Sequence, residues 1–207
     1  MKDFTKLPSN EIVQKTMEAL KANGMEAYLV ANADEAREKA LSLIPGGSEA
    51  MTMSSITLDQ TGISKAINES GKYDAAKPKL YSMDQKTQGR EMRKYGAAPD
   101  VALGSAHAVT VSGTLVIASL TGSQLPAITY GSASVILVVG TQKIVADVEE
   151  GMKRINQHIL PLESDRARKA YGLPESFQTF PSKILLLNKE IQAGRIKVIL
   201  VNEVLGF

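Results

Sequence analysis

The chain has no cysteine, so disulfides, thiolate catalysis and iron–sulfur ligation by its own residues are excluded. Tryptophan is absent, and four phenylalanines and six tyrosines leave few faces on which bases could stack. Neither sign of charge dominates: 24 Lys and Arg stand against 22 Asp and Glu, interspersed and without a basic run. No nucleic-acid partner is expected from such a distribution. Only two histidines occur, His107 and His158, and no HxxxH or HExxH spacing points to a metal site. Long apolar stretches are missing as well. The longest, such as Val135–Val139 and Ile184–Leu187, fall far short of the ~20 residues that cross a bilayer, so no membrane span is expected. The opening MKDFTKLPSNEIVQ carries no apolar stretch of signal-peptide length, which reads as cytoplasmic.

What is present fits a globular α/β protein. With 207 residues, 43% hydrophobic and 22% charged, the chain reads as one domain, 1–207, with a sizeable core and helix 8–23 as an appendage. Ser9 or Asn10 can cap that helix, and Asn23-Gly24 stops it. MEAYLVA (25–31) reads as a buried strand and Ala36–Ile44 as a helix. A short strand follows before Ser54-Ser55, and then a helix over 62–70. Residues 71–80 read as a loop rising into a strand at Leu80-Tyr81, and Asp84 caps a polar helix over 84–97. Strands are expected at 100–104 and 133–140, with a hairpin turning at Ser112-Gly113-Thr114. A short helix near 123–129, a helix over 144–160, a second more polar helix and two tail strands joined at Ala193-Gly194 complete the reading. Near-continuous apolar β-runs alternating with helices predict a mainly parallel sheet covered on both faces, a three-layer α/β/α sandwich with antiparallel hairpin additions. The tail hairpin offers an edge for a homodimer, although edges are also managed within one chain.

Three small polar loops stand at expected strand ends, where such sheets bind ligands. They are Ser54-Ser55 with Thr57, Thr121-Gly122-Ser123-Gln124, and Gly140-Thr141-Gln142-Lys143, with Gly104-Ser105 nearby. Hydroxyls, glycine-exposed N–H groups and a lysine together suit a small anion or a phosphate. Each also has an ordinary structural use, since Ser and Thr cap helices and glycine makes turns. No GxxxxGK[ST] or GxGxxG occurs. Glu203, at the end of the last strand, is the one candidate acid–base or nucleophilic residue, or else a surface acid. His107 and His158 are not in a pattern that builds a nucleophile–base pair.

The segments GSAHAVTVSGTLVIAS, TGSQLPA, VILVVGTQKIVADVEEGMKRI and KVILVNEVLGF together resemble the LUD domain, the lactate-utilisation protein C family. The resemblance covers nearly the whole chain and is most specific from Val101 to Ile155. It implies a fold similar to the sugar-phosphate isomerase and CoA-transferase superfamily. It also implies a component of L-lactate oxidation to pyruvate, working beside iron–sulfur partner subunits that carry the redox cofactors. Two departures stand out. The hairpin turn, Val111-Ser112-Gly113-Thr114, lacks the acid that many members carry, and YGLPESFQTFPSKILLLN lacks the cysteine cluster of others. Two alternatives remain beside this reading. One is a regulatory protein binding a phosphorylated or CoA-like metabolite. The other is an isomerase or transferase acting alone through Glu203.

Overall fold

The computed structural model describes residues 3–207, so the first two positions of the MKDFTKLPSNEIVQ segment lie outside it. At its centre is a six-stranded sheet in which every pair is parallel. Its strands are β1 (Glu26–Val30), β2 (Glu49–Thr52), β3 (Asp74–Ala75), β4 (Val101–Gly104), β7 (Ser134–Gly140) and β10 (Ile196–Val201), in the order β1-β10-β7-β4-β2-β3. The inner strands read apolar throughout because both faces are covered. Along β7 the side chains alternate between two cores. Val135, Leu137 and Val139 join one, while Ile136 and Val138 join the other.

The second of these cores lies under α2 (Ala33–Ser42), α3 (Ile56–Gln60) and α4 (Ile63–Asn68), through Ala36, Ala40, Leu58, Ile63 and Ile67. The first lies under α1 (Asn10–Ala22), which contributes Val13 and Leu20, and under a second, four-stranded sheet. Ser9 caps α1 by accepting the Ile12 amide. The second sheet is mixed, in the order β8-β5-β6-β9, from β5 (Ala108–Thr110), β6 (Leu115–Ser119), β8 (Ile144–Val145) and β9 (Lys183–Leu187). Its outer face is covered by α7 (Val148–Arg154), a π-helical turn Ile155–Ile159 and α8 (Leu160–Tyr171), with Ile155 and Ile159 packed on Ala108, Val116 and Val145. Helices thus cover both sides of the central sheet, as expected, and the second sheet adds a layer on one side. Among the described residues, no helix is long and apolar enough to cross a membrane.

Four elements differ from the sequence expectation. Leu80 and Tyr81 belong to a helix, α5 (Ala76–Ser82), and the strand comes earlier, at β3. Pro78 sits in the first turn of α5, where its missing N–H costs nothing. Residues 144–145 are strand β8; the helix expected from 144 starts only after Asp147, which accepts the Glu150 amide as its cap. It then widens into the π-helical turn before Pro161, whose ring cannot accept a regular preceding turn. Near 123–129 the chain makes a turn, closed by the Leu125 amide on the Gly122 carbonyl, and then a π-helical turn over Ala127–Gly131. Finally, the tail is no hairpin. β9 pairs antiparallel with β6 in the second sheet, and β10 lies parallel between β1 and β7 in the first. The apolar pattern of the two strands was legible, but their partners lie far away in sequence.

Candidate functional site

Four adjacent central strands, β10, β7, β4 and β2, end on the same side of the sheet, and their exits build one cluster. After β4, Ser105-Ala106-His107 carries the chain across to β5. After β7, the single 3-10 turn Thr141–Lys143 carries it to β8. The two links between the sheets therefore run side by side. After β2, Ser55 caps α3 by accepting the Leu58 amide, which places Thr57 in the first turn of that helix. Beyond β10, residues 202–206 run over the strand ends.

Lys143 is the centre of the cluster. Only 2% of it is exposed. Its Nζ donates to Thr57 Oγ1 at 3.0 Å and to Ser105 Oγ at 3.3 Å. Thr57 in turn donates to the Leu205 carbonyl at 3.3 Å, which also accepts from Gln142 Nε2 at 2.9 Å. Arg154 lies beneath, fully buried, with Nη1 donating to the His107 carbonyl at 2.8 Å. Among the described residues its Nε and Nη2 have no hydrogen-bond partner, and neither has Gln142 Oε1, while the Phe4 ring lies 6.0 Å from the guanidinium. Among the described residues, no carboxylate pairs with Lys143 or Arg154. The other arginine that is nearly as buried, Arg195, has its acid in Glu190. Two buried cations without an anion are costly, because desolvation disfavours the charged form. Burial first, and then Arg154, pushes the Lys143 ammonium down to about 7. Burial holds the Arg154 guanidinium down to about 10. His107 is held neutral by burial and then by Lys143 and Arg154; its Nδ1 accepts the Ala118 amide at 3.1 Å, so the ring proton sits on Nε2.

Two glycines let the backbone of the tail close over this cluster. A Cβ on Gly140 would stand 2.1 Å from Gln142 Oε1 and 2.7 Å from the Glu203 carbonyl. Gly206 has φ +60°, and a Cβ there would stand 2.4 Å from Thr57 Oγ1 and 3.2 Å from Lys143 Nζ. Gly151 acts one layer below. It lets α7 approach Ala108 and Val116 closely, which carries Arg154 beneath the His107 link.

Of the expected residues, Thr57, Gly104 with Ser105, Gly140 and Lys143 come together here, and Ser55 positions Thr57. Gly104 serves packing, since a Cβ there would meet Met53 Sδ at 2.6 Å. Ser54 is exposed. Thr121, Gly122, Ser123 and Gln124 follow β6 in the second sheet and bond among themselves and their neighbours. Thr121 donates to Ser123 Oγ, the Gly122 amide to Ser119 Oγ, and Ser119 to Gln124 Oε1. Gln124 also donates to the Ala118 carbonyl, one residue that touches both this loop and His107. Glu203 accepts the Ala33 amide at 2.9 Å at the start of α2, the position of a helix-capping acid rather than of a base beside Lys143. Arg154 was not singled out from the sequence. Its signal was there: Gly151, Arg154 and Ile155 share the buried stripe of their helix, and an arginine within such a stripe needs a reason. Among the described residues, no three His, Cys, Asp or Glu side chains gather as a metal-holding group. Two open surface depressions, of about 430 and 290 Å³, lie against α4 and share no residue with this cluster.

Comparison with known proteins agrees with this architecture. A crystal structure of a DUF162 family protein from Deinococcus radiodurans has a similar fold, with TM-score 0.55 and 16% identity, over 95% of this chain and all of that one. No curated protein sequence matches. The LUD domain model matches residues 13–201, from within α1 to the end of β10, including the exits of β2, β4 and β7 that build the cluster. The chain belongs to the LUD domain family.

Proposed function

We propose that this protein binds a small organic acid of the lactate and pyruvate kind at the Lys143 cluster, as a component of L-lactate oxidation. The observation that carries this reading is the pair of buried cations, Lys143 and Arg154, with no acid paired to them among the described residues and two guanidinium nitrogens without a hydrogen bond. A carboxylate supplies what is missing. It can take both free N–H groups of Arg154, and its charge offsets the desolvation of both cations. Thr57, Ser105 and the Nε2–H of His107 are neutral groups of the size and polarity that orient a hydroxyl or a carbonyl oxygen next to the carboxylate. The ligand enters where residues 204–206 now cover the amine. Oxidation of lactate removes two electrons and two protons, and in this reading the electrons pass to iron–sulfur partner subunits, since this chain has no cysteine to hold such a cluster. The protein works in the cytoplasm in this reading.

Isothermal titration calorimetry with L-lactate, pyruvate and inorganic phosphate tests the proposal on the wild type, Lys143→Met and Arg154→Met. A charge-assisted hydrogen bond is worth roughly 1.5–3 kcal/mol, so each variant is expected to weaken carboxylate binding by about tenfold to a hundredfold. Equal binding in all three proteins overturns the site. Binding of phosphate but of neither organic acid overturns the ligand class and favours the phosphorylated-metabolite alternative.

A further inference from the structure

We infer that Lys143 is a carbonyl-reactive amine that captures a 2-oxo acid as an imine, an inference that rests on the site proposed above. The geometry around Nζ is the starting point. A protonated lysine offers three N–H donors, and a neutral one offers two with a lone pair. Among the described residues Lys143 has two acceptors, Thr57 Oγ1 and Ser105 Oγ, and no carboxylate. Those two contacts satisfy a neutral amine completely and leave its lone pair unspent. The surroundings favour that form, because the side chain is buried and the charge that acts on it is that of Arg154, another cation. A lysine desolvated beside a second cation is the arrangement that makes an amine nucleophilic near neutral pH.

The remaining groups meet the needs of the step. With the substrate carboxylate on the free nitrogens of Arg154, the 2-oxo carbon one bond away is brought to Lys143, the amine on which the Arg154 charge acts. The Nζ lone pair forms the N–C bond, and the carbonyl π pair moves to oxygen. A proton passes from nitrogen to that oxygen through the hydroxyl of Thr57 or Ser105, each of which already accepts from Nζ. The carbinolamine then loses the oxygen as water, the nitrogen lone pair closes the C=N bond, and its last proton leaves. One amine and one 2-oxo acid give one imine and one water, with no net electron transfer. A 2-hydroxy acid such as lactate has no carbonyl and stays noncovalent in the same site. Substrate and product of the proposed oxidation are thereby held differently.

Borohydride trapping tests this. The intact chain is incubated with pyruvate and sodium cyanoborohydride, and the adduct is located by peptide mass mapping. The expected result is one reduced pyruvyl group on Lys143, reaching at least tenfold higher occupancy than on any surface lysine. L-Lactate in excess should suppress it. Lys143→Arg, which keeps the cation but cannot form the imine, should lose this adduct and retain only the surface background once circular dichroism shows that it folds. An unlabelled Lys143 in a protein whose calorimetry shows pyruvate binding overturns the imine and leaves the binding site standing. An unlabelled Lys143 with no carboxylate binding overturns both. Labelling of Lys143 no greater than that of surface lysines also overturns the inference.

Discussion

Replacing Lys143 with methionine should stabilise the ligand-free protein, by an amount that depends on pH. The lysine is lowered from 10.5 to about 7, chiefly by burial. The unfolded chain therefore binds more protons than the folded chain at every pH between those values, and stability rises with pH across that window. At pH 7 the penalty is about 4 kcal/mol relative to an unperturbed lysine, and it falls nearly to zero by pH 10.5. Below pH 7 both states are protonated and the penalty no longer changes. Methionine removes the penalty and fills most of the volume. It gives up two hydrogen bonds worth about 1 kcal/mol each. It orphans neither hydroxyl, because Thr57 still donates to the Leu205 carbonyl and Ser105 to the Ala106 carbonyl. The net gain at pH 7 is about 2 kcal/mol, or roughly 4–8 °C in Tm for a chain of this size. Urea denaturation of both proteins at pH 7, 8, 9 and 10 measures it. Taking the difference between them cancels Tyr28, raised to about 12 by its bond to Glu26, and the other groups that titrate in this range. The gain should shrink steadily and change sign near pH 9. A variant less stable than the wild type at pH 7, with an unchanged pH slope, refutes the claim that Lys143 is a buried cation awaiting an anion.

Three further outcomes follow from the same geometry. Gly140→Ala should cost about 1–3 kcal/mol by overpacking, because its methyl would strike Gln142 Oε1 and the Glu203 carbonyl, and thermal melting should show it. Glu203→Gln should cost about 0.5–1 kcal/mol of stability through its weakened hold on the start of α2, and leave carboxylate affinity within about twofold by calorimetry. Ser123→Ala should leave affinity unchanged, since Ser123 bonds within its own loop; a tenfold loss would place that loop at the site after all.

How much of this was legible in the sequence depended on whether a residue's partner was local. Ser9, Ser55 and Asp84 cap the helices that follow them, and each cap bond spans two or three residues. The central strands were legible because burial on both faces leaves an unbroken apolar run. Leu80-Tyr81 misled because two apolar residues after a proline fit a short strand as well as a helix turn. The tail strands are legible in the sequence, but their partners are not. An Ala-Gly turn between two β-runs signals a hairpin, yet β10 gains more by filling the gap between β1 and β7, where five of its six residues are buried.

The site shows the same division. A lysine just past a strand end is visible in the sequence, but nothing local distinguishes a solvated one from a buried one. The difference lies in what closes over it. Here Gly206 and Leu205 arrive from beyond β10, and Arg154 arrives from a helix that Gly151 lets press against the second sheet. Burying either cation alone would have been a local loss of stability. Burying both, at the crossing of the two sheets and without an acid, stores that loss in one place. Such a deficit is what an incoming anion can relieve, and a cleft lined by the same residues but open to water would bind it more weakly. In the proposed site the cost in fold stability and the affinity for a carboxylate are thus two readings of one arrangement. A protein relieved of the first, by methionine at 143, should lose the second.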